Sequence, residues 1–156
     1  MPEEYDKESI WRMFRDIRYC ILANQASDGT TDVRTMSFSC NRDLQGFYML
    51  SPKNARKINE FLKTPQATMH VYSIANNPDE FVQFVIKGTV NVHREINTPE
   101  LKAGLLMLAE KIGMLKSVQT NGIPSDCVFL ELRSKEIMLT RYLDILHNMP
   151  ANKIGL

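Results

Sequence analysis

The chain has 156 residues, 44% hydrophobic and 24% charged, the balance of a globular chain with a packed core and not of a disordered one. It sets 19 Lys and Arg against 18 Asp and Glu, and a net charge of +1 argues against a nucleic-acid coat or an acidic-membrane binder, both of which carry a larger basic excess. Cys20, Cys40 and Cys127 are odd in number and lack CxxC spacing, so no disulfide scaffold is expected and a reducing, cytoplasmic setting is.

The first residues carry Glu3, Glu4, Asp6 and Glu8, the opposite of a signal peptide's basic start. No apolar run approaches the roughly 20 residues of a membrane span. Repeats and low-complexity linkers are absent, so residues 1–156 read as one domain. Ile10, Met13 and Phe14 predict a short amphipathic helix over residues 5–14. An apolar run at 19–24 ends at Asp28-Gly29, a strong hairpin signal, and 33–39 forms the return strand. A second turn through Gly46 leads into 47–50, completing an expected three-strand meander. Ser51-Pro52 then offers an N-cap followed by proline at the first helical position. The helix it predicts presents Ala55, Ile58, Phe61 and Leu62 on one face and ends at Thr64-Pro65.

Residues 68–74 return to a strand, and Asn76-Asn77-Pro78-Asp79 turns the chain. From 81 to 92 the even positions Val82, Phe84, Ile86, Val90 and Val92 are apolar and the odd ones mostly polar, a long half-buried strand. Thr98-Pro99-Glu100 repeats the helix-start chemistry for a helix running to about 117. A last strand over 126–133 resumes after a bulge at 136–142. Strands in hairpin succession with helices between them predict an α+β, mainly β fold: an antiparallel barrel with flanking helices. A Rossmann domain is disfavoured, since GxGxxG and alternating βαβ units are missing.

Signatures of hydrolytic, nucleotide and metal chemistry are also missing. The sequence has no GxSxG, no GxxxxGK[ST], no HExxH and no Cys/His ligand pair around His70, His93 or His147. One local feature stands out. Lys53, Arg56, Lys57 and Lys63 face only Glu60 between 52 and 63, a local +3 that leaves −2 for the rest of the chain. Cations at a helix start oppose the macrodipole, so their presence there calls for an anion, and arginine's planar fork suits phosphate oxygens. Otherwise this is a solvated basic face. Arg34 adds to it from the preceding strand, on the face of Met36 and Phe38, where a charge needs a partner. That partner is either a ligand or a core carboxylate such as Glu131.

In order, Val33-Arg34-Thr35-Met36-Ser37-Phe38, Gly46-Phe47-Tyr48-Met49-Leu50-Ser51, Ala55-Arg56-Lys57-Ile58 and Thr64-Pro65-Gln66-Ala67-Thr68 resemble the pyridoxamine 5′-phosphate oxidase-like flavoproteins. Gln83, ahead of Lys87-Gly88, also matches. The resemblance covers residues 19–92 and implies a six-stranded antiparallel split β-barrel with flanking helices, binding FMN at the interface of a homodimer. It implies that Arg34, Arg56 and Lys57 hold the FMN phosphate with Lys53 as an auxiliary cation. Thr35, Met36 and Ser37 would run along the flavin ring, Ser51 would reach the phosphate or ribityl chain, and Gln83 the ring system. Ala55 stands where the family often has a phosphate-binding serine, and Ser39 where the vitamin-processing enzymes carry a lysine. These departures point to the small general-stress or uncharacterised branch of the family.

The activity implied is an oxidoreductase passing hydride between the flavin and a small organic substrate or a nicotinamide. A carrier or sensor without turnover, and the same barrel holding heme or a deazaflavin, are the alternatives. A barrel binding single-stranded nucleic acid through the Lys53–Lys63 face, with Tyr48 and Tyr72 stacking on bases, fits poorly with the near-neutral total charge.

Overall fold

In the computed structural model, which describes residues 5–73 and 77–156, Asp6 starts the first helix, α1 (Lys7–Asp16), by accepting the Ser9 N–H at 2.7 Å. Its apolar stripe buries Ile10 and Phe14. Phe14 meets Phe38, Phe47 and Phe84 edge-on, so α1 docks through one aromatic cluster. The hairpin expected at Asp28-Gly29 joins β1 (Tyr19–Gln25) to β2 (Thr31–Ser37), with Asp28 accepting from the Thr30 amide. β3 (Ser39–Cys40) and β4 (Gly46–Pro52) form the next hairpin.

After β4 come α2 (Arg56–Lys63), β5 (Gln66–Tyr72), a 3-10 turn (Pro78–Glu80) and β6 (Val82–His93). α3 (Pro99–Lys111) and α4 (Leu115–Asn121) precede β7 (Cys127–Arg141), and α5 (Tyr142–Leu146) and β8 (Asn152–Ile154) follow it. The end of the expected 68–74 strand at Ile74 and the start of the expected turn at Asn76 lie outside the described residues, as do Glu3 and Glu4.

All pairings are antiparallel, in the order β2-β1-β5-β6-β7-β4-β3, with β8 on β7. The strands at the two ends of this order, β2 and β3, are separated in the chain by Phe38 alone, which curls the sheet into a half-open barrel. The expected meander is therefore corrected: β2 pairs with β1 only, and β4 pairs with β3 and with distant β7. Among the described residues, six strands have seven residues or more, matching the six expected, and the short β3 and β8 are additions. Period-2 burial of Val82, Phe84, Ile86 and Val90 places the inner face of β6 in the core, as the sequence predicts. The bulge is Lys135, the extra residue between the Lys87–Glu136 and Gly88–Ser134 pairs.

Two helix boundaries differ from expectation. Ser51 and Pro52 pair with Val128 and Cys127 as the end of β4, so α2 starts four residues later, capped by Ala55 without a side-chain bond. Ladder pairing with β7 outweighs the local cap signal. The long helix ends at Lys111, because Gly113 turns through the left-handed region (φ 77°) before α4. Thr98 caps α3 as predicted, accepting the Leu101 N–H at 3.1 Å. α3 packs on the outer side of β4 in a second cluster of Leu101, Leu105 and Leu108 around Tyr48, which stacks on Phe129 at 5.5 Å.

Candidate functional site: a charged network at one barrel end

β1 and β2 are registered so that Asn24 stands opposite Asp32 and Leu22 opposite Arg34. With a period of two, Asp32, Arg34 and Met36 share the inward side of β2, and Thr35 is on the exposed side. α2 packs across β1 and β6, sinking Ile58 and Phe61 into the main core and bringing Arg56, Lys57 and Glu60 to the same end.

The result is one network. Arg56 donates from its Nη2 to Asp32 Oδ2 at 2.7 Å, and its Nε lies 3.3 Å from Glu60 Oε1. Arg34 Nη2 lies 3.7 Å from the same Asp32 Oδ2, and Arg34 Nη1 donates to the Asn24 amide oxygen. The Asn24 amide donates in turn to Glu60 Oε2 at 2.7 Å. Glu60 is buried, its side chain 4% exposed, yet its Oε1 lacks a well-aligned hydrogen bond. Arg56 is the exposed member, its side chain 74% open to solvent.

Lys57 is different. It is half-buried and has no carboxylate partner among the described residues. Burial, with Arg34 beside it, pulls its ammonium below the usual lysine range. Burial also lowers the Arg34 guanidinium, against the pull of Asp32 and Glu60. Three cations and two carboxylates leave the network at net +1, so part of the charge expected to await a ligand is met internally. The internal partners of Arg34 are Asp32 and Asn24. Glu131, the partner suggested by sequence, instead accepts from His93 at 3.0 Å and pairs with Arg133 at 3.5 Å.

The other expected residues lie apart from this network. Ser51 is fully buried and its hydroxyl donates to the Pro52 carbonyl at 3.1 Å. Lys53 donates to the Ser125 carbonyl at 3.3 Å, beside the α4–β7 connection. Met36 packs on the core. Thr35, Ser37 and Gln83 share the outer face of the sheet, where Gln83 Oε1 meets His70 Nε2 at 3.1 Å. Thr35 stands opposite Ile21, which stands opposite His70, so β6 is three strands, about 14 Å, from β2 across that face. A cleft of about 590 Å³ opens there, lined in part by Arg18, Tyr19, Ile21, Thr35 and Tyr72. Asp32, Asn24 and Glu60 were not singled out as network residues from sequence. Spacing held the signal: Asp32 is two residues before Arg34 on a strand, and Glu60 four after Arg56 on a helix.

No protein-family model and no curated protein matches the sequence. Solved structures do. A heme binding protein from Mycobacterium smegmatis superposes with a TM-score of 0.70 at 11% identity, covering 90% of this chain and 55% of that one. A Clostridium acetobutylicum protein related to general stress protein 26, of the pyridoxinephosphate oxidase family, gives 0.68 at 12% identity over 97% of both chains. An F420 reductase gives 0.60 at 19% identity, over 88% of this chain and 98% of that one. The fold is the split barrel. At these identities the likeness concerns the fold, and it agrees with the family resemblance read from the sequence. Among the described residues, no helix of this split barrel is long and apolar enough to cross a membrane.

Proposed function

We propose that this split barrel binds FMN and serves as an oxidoreductase, working as a homodimer with a flavin at each subunit interface. What carries the reading is the gathering of Arg34, Arg56 and Lys57 from two elements at one barrel end, with Lys57 unpaired by any described carboxylate. A terminal phosphate fits this set: Lys57 supplies a point charge and the guanidiniums supply planar forks. Bound FMN supplies hydride transfer to or from a small organic substrate or a nicotinamide. Thr35, Ser37 and Gln83 offer polar groups on the outer face, where Tyr19, Val33 and Tyr72 are 54%, 63% and 40% exposed. An apolar face of that kind suits a second copy of the chain.

The structural neighbours keep heme and deazaflavin in view as cofactors of the same barrel. Purified protein should be yellow and release FMN on denaturation. A Soret band, or an F420 spectrum, would replace the FMN reading. Arg56→Ala combined with Lys57→Ala should abolish FMN retention while leaving the unfolding midpoint near wild type. Retained affinity would overturn the phosphate assignment. Reduction by NADH or NADPH, followed by reoxidation with substrate, separates an oxidoreductase from a carrier.

A further inference from the structure

Asp32 Oδ2 occupies the position between two guanidiniums, 2.7 Å from Arg56 and 3.7 Å from Arg34. That is the place and the chemistry of a phosphate oxygen. Arg56 is drawn toward Asp32 while its Nε passes Glu60 Oε1 at 3.3 Å without aligning, leaving that buried oxygen unsatisfied. A buried carboxylate oxygen without an aligned donor is costly. The exposed Arg56–Asp32 contact is worth little by comparison, because solvent screens it and the long side chain loses freedom to hold it. The two carboxylates are therefore not equivalent. Glu60 is fixed by burial and by Asn24, whereas Asp32 sits on the strand beside the exposed arm of Arg56.

We propose that Asp32 is a built-in competitor for the phosphate site: an anion captured between Arg34 and Arg56 displaces it and frees Arg56 to align with Glu60. The inference rests on the phosphate assignment made above and adds a control on it. Asp32 lowers the affinity for a phosphate monoester and makes its retention conditional. In a network of net +1, removing Asp32 raises the charge facing a dianion to +2, and Asn at that position keeps the shape without the charge.

The test compares wild type, Asp32→Asn and Asp32→Asn with Arg56→Ala and Lys57→Ala. Each is titrated with FMN by flavin fluorescence quenching and with inorganic phosphate by thermal shift. Asp32→Asn should bind FMN about tenfold more tightly than wild type, a difference of about 1.4 kcal/mol. It should also show the larger thermal shift with phosphate, and the triple variant should lose both responses. If FMN binds wild type and Asp32→Asn binds it equally or more weakly, Asp32 positions the arginines and the competitor proposal is overturned, while the cofactor reading stands. If FMN binds none of the variants but phosphate stabilises Asp32→Asn more than wild type, the FMN reading fails and the competitor stands. No response to either probe overturns both.

Discussion

Lys111 shows how one side chain can organise a barrel end. Its ammonium donates to the carbonyls of Phe14, Ile17 and Phe38 at 2.9, 2.6 and 2.7 Å and lies 4.2 Å over the Phe38 ring. It thereby ties α3 to the end of α1 and to the β2–β3 junction. Lys111→Met leaves three carbonyls short of a charged donor and should cost about 2–3 kcal/mol in urea unfolding. Burial brings Lys111 down to about 8 and pushes the Cys20 and Cys40 thiols from 9.0 up to about 12. The signs oppose. Above pH 8 the folded chain holds fewer protons on Lys111 than the unfolded chain, so stability rises with pH. Above pH 9 the unfolded chain loses protons from both thiols that the folded chain keeps, and two groups outweigh one. Unfolding midpoints measured under reducing conditions should peak near pH 9, and Lys111→Met should remove the rise from 8 to 9. At the proposed phosphate site, Lys57→Ala should lower FMN affinity at least as much as Arg56→Ala, because Arg56 is already shared with two carboxylates. Lys57 was visible in the sequence as a cation; that, of Arg34, Arg56 and Lys57, it is the one without a carboxylate among the described residues depends on α2 being placed where Arg56 reaches Asp32.

Elements were legible where a local pattern and tertiary demand agreed. The alternation along 81–92, the Asp28-Gly29 hairpin and the Thr98 cap each specify their element without help from distant residues. They failed to be legible where distant pairing decided. Ser51-Pro52 carries helix-start chemistry, but the chain reads it as the end of β4 because β7 offers distant partners at Val128 and Cys127. β8 and α5 were not expected, since a three-residue strand and a five-residue helix have too little period to register. α3 gives the sharpest element-scale prediction. Gly104 is a mid-helix glycine, where alanine would ordinarily stabilise by about 1 kcal/mol. Here an added Cβ would come within 2.5 Å of the Tyr48 ring. The Gly104 carbonyl also accepts from Ser39 at 2.9 Å. Gly104→Ala should therefore destabilise by about 1–3 kcal/mol through overpacking. Chemical denaturation of the single variant checks the sign.

For the whole molecule, the decisive property is that the expected cofactor residues fall on two sides of one sheet. Arg34 and Lys57 gather at the inward end, while Thr35, Ser37 and Gln83 line the outer face. The sequence could show that these residues exist in a given order, but not that β2 would be an end strand presenting alternate residues to two different surroundings. A second copy on the outer face is how both sets come to serve one ligand in the proposed assembly. Val33, exposed on that face between Asp32 and Arg34, tests it. Val33→Glu should shift the sedimentation coefficient from dimer to monomer and reduce flavin affinity, with the monomer's unfolding midpoint little changed. The junction at Phe38 has a mechanical consequence. β6 and β7 carry ladders on both flanks, whereas β2 has one neighbour, and closure behind it depends on a peptide linkage in place of a ladder. The barrel should therefore breathe along that line, with amides of β2 exchanging with solvent deuterium well before those of β6 and β7.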